Sequence, residues 1–173
     1  MRKAAAHHLL VDIHDSYRPS GFTRSPAGPA DVTLCVYDQR LETTRAHQAA
    51  MAVIADSPLP LLSWYDRPAQ FDGSPELAVF DHVPTVWGDT HGLHHPLGDQ
   101  GTLARRSGRD WLLGTLTGAT AREISIPLAF LPAGNKCVVP ISENGDSPTS
   151  SRVRTENVTT ATVLRVNLPA AGG

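Results

Sequence analysis

Asp15 ends a short apolar stretch, Leu9-Leu10-Val11, that runs on through Asp12-Ile13-His14. Such a stretch predicts a buried parallel strand with polar groups gathered at its C-terminal end. Barrel enzymes place reactive groups at that junction of strand and loop. A carboxylate there can serve as a nucleophile or as an acid or base. The plainer role for an aspartate at a strand end is to form a turn or cap a helix. Acid–base work by paired carboxylates needs a partner, and no glutamate occurs between Asp15 and Glu42. Asp12 reads equally as one half of an ion pair, and His14 as a packed, hydrogen-bonded side chain.

Other reactive types are scattered. His91, His94 and His95 sit in a Gly/Pro-rich stretch. Zinc sites need three or four ligands in fixed geometry. The His-x-x-His-His spacing is unspecific, and an exposed loop is the expectation. His47 is expected on a helix surface. Cys35 and Cys137 are the only cysteines; they read as small buried or half-buried side chains, with a disulfide left open. Trp64-Tyr65 adjoins an apolar run and predicts core or domain-interface packing. Trp87 and Trp111 are expected to fill a core. Of Arg105-Arg106, one should face solvent while the other bridges to a carboxylate.

The elements that would position these groups follow from patterning. A helix begins at Thr43 or Thr44, whose hydroxyl can cap it. Ala46, Ala49, Ala50, Val53 and Ile54 share one face, and Ser57-Pro58 ends it. Leu59 to Trp64 suits a buried strand. Ser74-Pro75-Glu76 starts a short helix that carries Leu77, Val79 and Phe80 inward. From Pro84 onward the pattern is β, with strands expected at Gly101 to Arg106, Asp110 to Leu116, Glu123 to Leu128, Lys136 to Ile141, Arg152 to Glu156 and Thr162 to Leu168. Asn144-Gly145 is a turn dipeptide, and Asp146 to Ser151 reads as an exposed loop. Six short strands with regular turns predict a small antiparallel sandwich.

The chain has 173 residues, 40% of them apolar and 18% charged, with a net charge of −2. That suits one globular domain with a modest core. A complete (β/α)₈ barrel needs roughly 250 residues, so none fits. The charge gives no case for nucleic acid or an anionic membrane. No apolar run reaches membrane-spanning length, and the N-terminus lacks the apolar core of an export signal.

Two stretches carry a family resemblance. One opens at Val83-Pro84-Thr85-Val86-Trp87 and continues through Ala104-Arg105-Arg106, Gly108-Arg109-Asp110-Trp111-Leu112-Leu113-Gly114, Leu116-Thr117, Arg122 and Ile126-Pro127-Leu128-Ala129-Phe130-Leu131. It resembles the C-terminal β-domain of glycoside hydrolase family 97. The second stretch, Val11-Asp12-Ile13-His14-Asp15-Ser16-Tyr17-Arg18-Pro19-Ser20-Gly21-Phe22-Thr23-Arg24, resembles the same family's catalytic barrel. Phe22-Thr23-Arg24 runs straight into Ser25 to Thr33, which resembles a later family segment, so an internal deletion is expected. Departures occur at Trp87-Gly88-Asp89-Thr90, where members commonly read Trp-Asp-Glu-Thr, and at Gly172-Gly173, where members run on and fraying is expected.

The resemblance implies an α+β chain: an incomplete (β/α) barrel remnant over residues 1–80, then a small antiparallel β-sandwich over 81–173. It implies that Asp15 matches the aspartate nucleophile of retaining, α-galactosidase-like members, with His14 and Asp12 near the sugar. Retaining chemistry needs a second carboxyl group about 5–5.5 Å away. The family's acid glutamate and the glutamates that help hold calcium lie in a segment with no counterpart here, so no cofactor is expected in this chain as it stands. The leading reading is a non-catalytic fragment whose β-domain packs on a barrel or self-associates. The alternatives are a retaining hydrolase of α-linked galactosides or glucosides that needs a partner chain, and a carbohydrate-binding sandwich. Family members are typically exported in bacteria, and no export signal is read here.

Overall fold

The computed structural model describes residues 6–7, 32–36, 42–55, 57, 60–65, 67–70, 73–94, 99–134 and 136–173. The fold is α+β. Strand β1 (Val32–Cys35) pairs in parallel with β2 (Pro60–Ser63), and helix α1 (Arg45–Ile54) lies between them in sequence. A 3₁₀ helix follows at Pro75–His82. The rest is antiparallel: β3 (Asp89–His94), β4 (Gln100–Ser107) and β5 (Asp110–Thr117) form one sheet, β6 (Arg122–Pro127) pairs with β9 (Val163–Leu168), and β7 (Cys137–Asn144) pairs with β8 (Ser151–Val158).

These sheets close over an aliphatic core of Ile124, Ile126, Leu128, Val158, Leu164, Val166 and Leu168. On β6 and β9 the inward residues alternate with exposed ones, as a half-buried sheet requires. Leu93 and Leu113 reach the core from the three-stranded sheet, and Cys137, Val139 and Ile141 from β7. Trp87 and Trp111 are half-buried rather than filling it, Trp111 packing on Phe130 at its margin and Trp87 stacking on Arg105 instead. All six expected strands form, and β7 and β8 extend beyond their expected ends. The histidine stretch departs from expectation: His91 and His94 lie on β3 instead of in a loop, because Asp89 to Gly92 pair in register with Arg106 to Leu103.

Thr44 caps α1, its Oγ1 accepting from the His47 N–H at 3.1 Å. Ala46, Ala49, Ala52 and Val53 are buried. The helix lies against β5, and Gly114 makes the approach possible. A Cβ at that position would stand 2.9 Å from the Ala50 carbonyl oxygen and 3.0 Å from Val53 Cβ. The Asn144-Gly145 turn also departs from expectation. Neither residue takes positive φ; Asn144 pairs with Ser151, and Gly145 N–H donates to the Ser150 carbonyl at 3.0 Å to close a wider loop. Cys35 and Cys137 are free and half-buried. No helix among the described residues is long and apolar enough to cross a membrane.

Candidate functional site

Asp12, His14 and Asp15 lie outside the described residues. What the described residues assemble is a polar seam that joins α1 and the 3₁₀ helix to the sandwich, in three parts.

The first part holds the C-terminal end of α1. Helix ends leave carbonyls unpaired, and no basic residue stands in this helix's last turn. Arg105 of β4 supplies the missing donors. Its Nη1 donates to the carbonyls of Val53 and Ala55, both at 3.1 Å, and its Nε to Thr90 Oγ1 at 3.2 Å. The guanidinium also stacks on Trp87, 4.6 Å from the ring centroid. The cation meets the negative end of a helix dipole. Arg106, next in the chain, lies on the opposite face of the sheet and donates to the Gly108 carbonyl at 2.9 Å.

The second part surrounds Glu76, which is only 1% exposed. Arg45 Nη1 donates to Glu76 Oε1 at 3.3 Å and to Ser74 Oγ at 2.6 Å. Ser151 Oγ of β8 donates to Glu76 Oε2. Tyr65 OH and Ser74 Oγ are hydrogen-bonded at 2.9 Å. The 3₁₀ helix thus turns its glutamate inward, where Leu77, Val79 and Phe80 were expected to be the inward set; these three are half-buried. Phe80 packs edge-on against buried Trp64, with centroids 5.2 Å apart. Glu76 is sealed and both its oxygens are engaged, so it has no access to a substrate.

The third part is the stretch Pro169 to Gly173, where fraying was expected. Ala171 takes φ +51°. Thr117 N–H donates to the Gly172 carbonyl at 3.0 Å, and Thr117 Oγ1 donates to the Pro169 carbonyl at 2.7 Å. Thr44 N–H donates to the Ala171 carbonyl at 3.3 Å, and Asn144 Nδ2 to the Gly173 carbonyl at 2.8 Å. Gly173 lies so close to α1 that a Cβ would stand 2.5 Å from His47 Cα. His47 Nδ1 donates to the Gly172 carbonyl at 3.1 Å. Burial lowers the His47 pKa, against the opposing effect of hydrogen bonds to the Gly172 and Ala171 carbonyls. The imidazole therefore works as a neutral Nδ1–H donor near neutral pH.

One aromatic group stands apart from the seam. Trp111 packs on His91 (5.1 Å) and Phe130 (4.9 Å), and Arg106 stands 6.0 Å over its ring. His91 Nε2 lies 3.2 Å from Asp89 Oδ2. The hydrogen bond from His91 is the largest cause holding Asp89 below the usual carboxylate range, followed by that from the Thr90 N–H. Here the aromatic rings contact one another rather than lying out as a flat platform. Among the described residues no group of three or more His, Cys, Asp or Glu side chains could hold a metal ion.

The described residues thus form an antiparallel sandwich joined by a polar seam to a βαβ segment. Comparison with known proteins specifies it further. The family model "Glycosyl-hydrolase 97 C-terminal, oligomerisation" matches residues 86–173, half of the chain. The chain belongs to glycoside hydrolase family 97. It is 31% identical over 124 residues to the retaining alpha-galactosidase of Bacteroides thetaiotaomicron, covering 64% of this chain and 18% of that protein. It is 26% identical over 159 residues to a probable retaining alpha-galactosidase of Streptomyces bingchenggensis, covering 72% of this chain and 25% of that protein. A family 97 enzyme from Pseudoalteromonas sp. strain K8, solved with panose, superposes with a TM-score of 0.74 at 28% identity, covering 84% of this chain and 25% of the other. The chain thus spans a quarter or less of the length of these relatives.

Sequence patterning missed Arg105, Arg45, Glu76, Asn144 and Thr117 as the seam's working residues. Their partners are main-chain carbonyls and hydroxyls far away in sequence, and neither leaves a periodic signal. The usable clue was Glu76 itself, a carboxylate directly before the apolar run Leu77 to Phe80 of a short helix.

Proposed function

We propose that this chain acts as a non-catalytic family 97 module, with residues 81–173 as a docking and self-association domain and residues 1–80 as the barrel-derived part. The observation that carries the reading is the commitment of the described polar groups to the seam. Arg105, Glu76 and residues 169–173 bind α1 and the 3₁₀ helix to the sandwich. Further support comes from the description of the matching family model, which includes oligomerisation, and from the lack of any glutamate between Asp15 and Glu42. Retaining hydrolysis needs a nucleophile and an acid about 5–5.5 Å apart. Asp15 is the one candidate nucleophile the resemblance supplies.

A second reading is favoured by the names of the two relatives, both retaining alpha-galactosidases. In it, Asp15 attacks the anomeric carbon of an α-linked sugar, His14 and Asp12 contact the substrate, and a partner chain brings the acid and the calcium ligands. Hydrolysis of p-nitrophenyl α-galactoside and α-glucoside by the full chain, with and without calcium, separates the two. The expected result is no turnover above buffer. Turnover that Asp15→Asn abolishes would replace the first reading with the second.

A further inference from the structure

The β7–β8 ribbon distributes its charges the wrong way round for a surface hairpin. Register puts Val138 opposite Asn157, Pro140 opposite Thr155, Ser142 opposite Val153 and Asn144 opposite Ser151 on one face, the last row being taken up by the seam through Gly173 and Glu76. The other face carries the rows Cys137–Val158, Val139–Glu156, Ile141–Arg154 and Glu143–Arg152. Cys137, Val139, Ile141 and Val158 belong to the core or pack against it, so this second face is the inner one. All four charged residues of the ribbon lie on its rows. Arg154 pairs with Glu143 at 3.1 Å and with Glu156, while Arg152 pairs with Asp146 at 2.8 Å. The outward face has no charge at all. It presents Val138 at 67% exposure and Val153 at 42%, with Pro140 exposed between them.

The outer face of β6–β9 shows the ordinary arrangement. There Glu123 and Arg165 pair across the strands in solvent at 3.5 Å, beside Ser125 and Asn167. The β4–β5 face opposite the core is covered by α1. Among the described faces of the sandwich, the part of the β7–β8 outer face around Val138, Pro140 and Val153 is therefore the one that is both open and uncharged. Interface centres are depleted of charge in the same way, and an uncharged face can meet its own copy across a two-fold axis without like-charge repulsion.

We propose that the outer face of the β7–β8 ribbon, centred on Val138, Pro140 and Val153, is where two copies of this chain meet. The proposal rests on the self-association reading above and names its surface. The occupant is a second copy because the family model matching this stretch is described by oligomerisation. An eight-residue ribbon spans about 26 Å. It supplies the apolar centre of an interface, not all of the roughly 800 Å² per partner of a standard one. A dimer in reversible, concentration-dependent exchange is therefore expected.

Sedimentation velocity of the full chain over a concentration series tests this, with far-UV circular dichroism and Tm recorded for each variant. Val138→Asp and Val153→Asp should each weaken association by about tenfold or more while leaving the spectrum unchanged. The milder Val138→Ser should weaken it less. Val163→Asp, at a position 51% exposed on β6–β9, is the control and should associate like the parent. A parent chain that stays monomeric at every concentration would overturn the self-association reading itself. Association that survives both aspartates with the fold intact would overturn only the ribbon assignment. Loss confined to Val163→Asp would move the interface to β6–β9.

Discussion

Arg105 and Arg106 are adjacent in sequence and serve opposite faces of one sheet. Strand alternation made their divergence legible. The Val53 and Ala55 carbonyls that Arg105 meets were not legible, because they lie some fifty positions upstream. Arg105 is 7% exposed and joins four features: two helix-terminal carbonyls, the Thr90 hydroxyl and the Trp87 ring. Arg105→Met keeps much of the stem but strands the two carbonyls and removes the cation from the negative helix end. Unsatisfied buried groups and lost charge-assisted bonds set the cost at about 3 kcal/mol. Arg105→Lys retains the charge without the planar fork, so it should recover about half of that loss. Urea unfolding followed by circular dichroism reads both values. Equal stability of Arg105→Met and the parent would show that water satisfies the helix end instead. Asp12, His14 and Asp15 mark the other limit at this scale: a strand-end aspartate is a generic feature, and only the resemblance gave it a chemical role.

At the scale of elements, hydrophobic alternation located β6 and β9 most plainly, because each faces the core on one side and solvent on the other, while β4 and β5 are covered by α1 on the face away from the core. It failed for β3, whose glycine and histidines resemble loop composition and which is recruited by pairing with β4. It failed for β1, where four residues are too few for a period and Leu34 is buried by tertiary contacts. Helix α1 was located by its cap and alanine face, yet how closely it sits against the sheet depends on Gly114. Gly114→Ala should force the helix outward, since the new methyl would meet Ala50 O at 2.9 Å and Ile54 Cγ1 at 3.0 Å. Overpacking of this kind costs about 1–3 kcal/mol. The loss should fall mainly on packing that α1 shares with the sandwich, and a lowered Tm in calorimetry checks it. Unchanged stability would mean that the helix shifts outward freely, and that its contact with β5 contributes little.

At the scale of the molecule, the seam decides whether the β1–α1–β2 segment and the sandwich unfold separately or together. Residues 169–173 lie at the centre of that question. They bond Thr117 on β5, Asn144 on β7 and Thr44 at the cap of α1, so one short segment ties three elements. Trp64 reports on the side of α1 and the 3₁₀ helix through its contact with Phe80, while circular dichroism is dominated by the strands. In a Trp87→Phe/Trp111→Phe background, Trp64 fluorescence and circular dichroism should trace one coincident urea transition, the signature of a single cooperative unit. Deleting residues 169–173 removes several hydrogen bonds worth about 0.5–1.5 kcal/mol each. The fluorescence transition should then move to lower urea by about 2–4 kcal/mol of stability, while the circular dichroism transition follows only in part. The aliphatic core of β6 and β9 keeps its own packing in the shortened chain, so the two probes should separate. Probes that already diverge in the intact chain would show that the seam is weaker than its geometry implies. Probes that stay coincident after the deletion would place the coupling in Arg105 and Glu76 rather than in this segment.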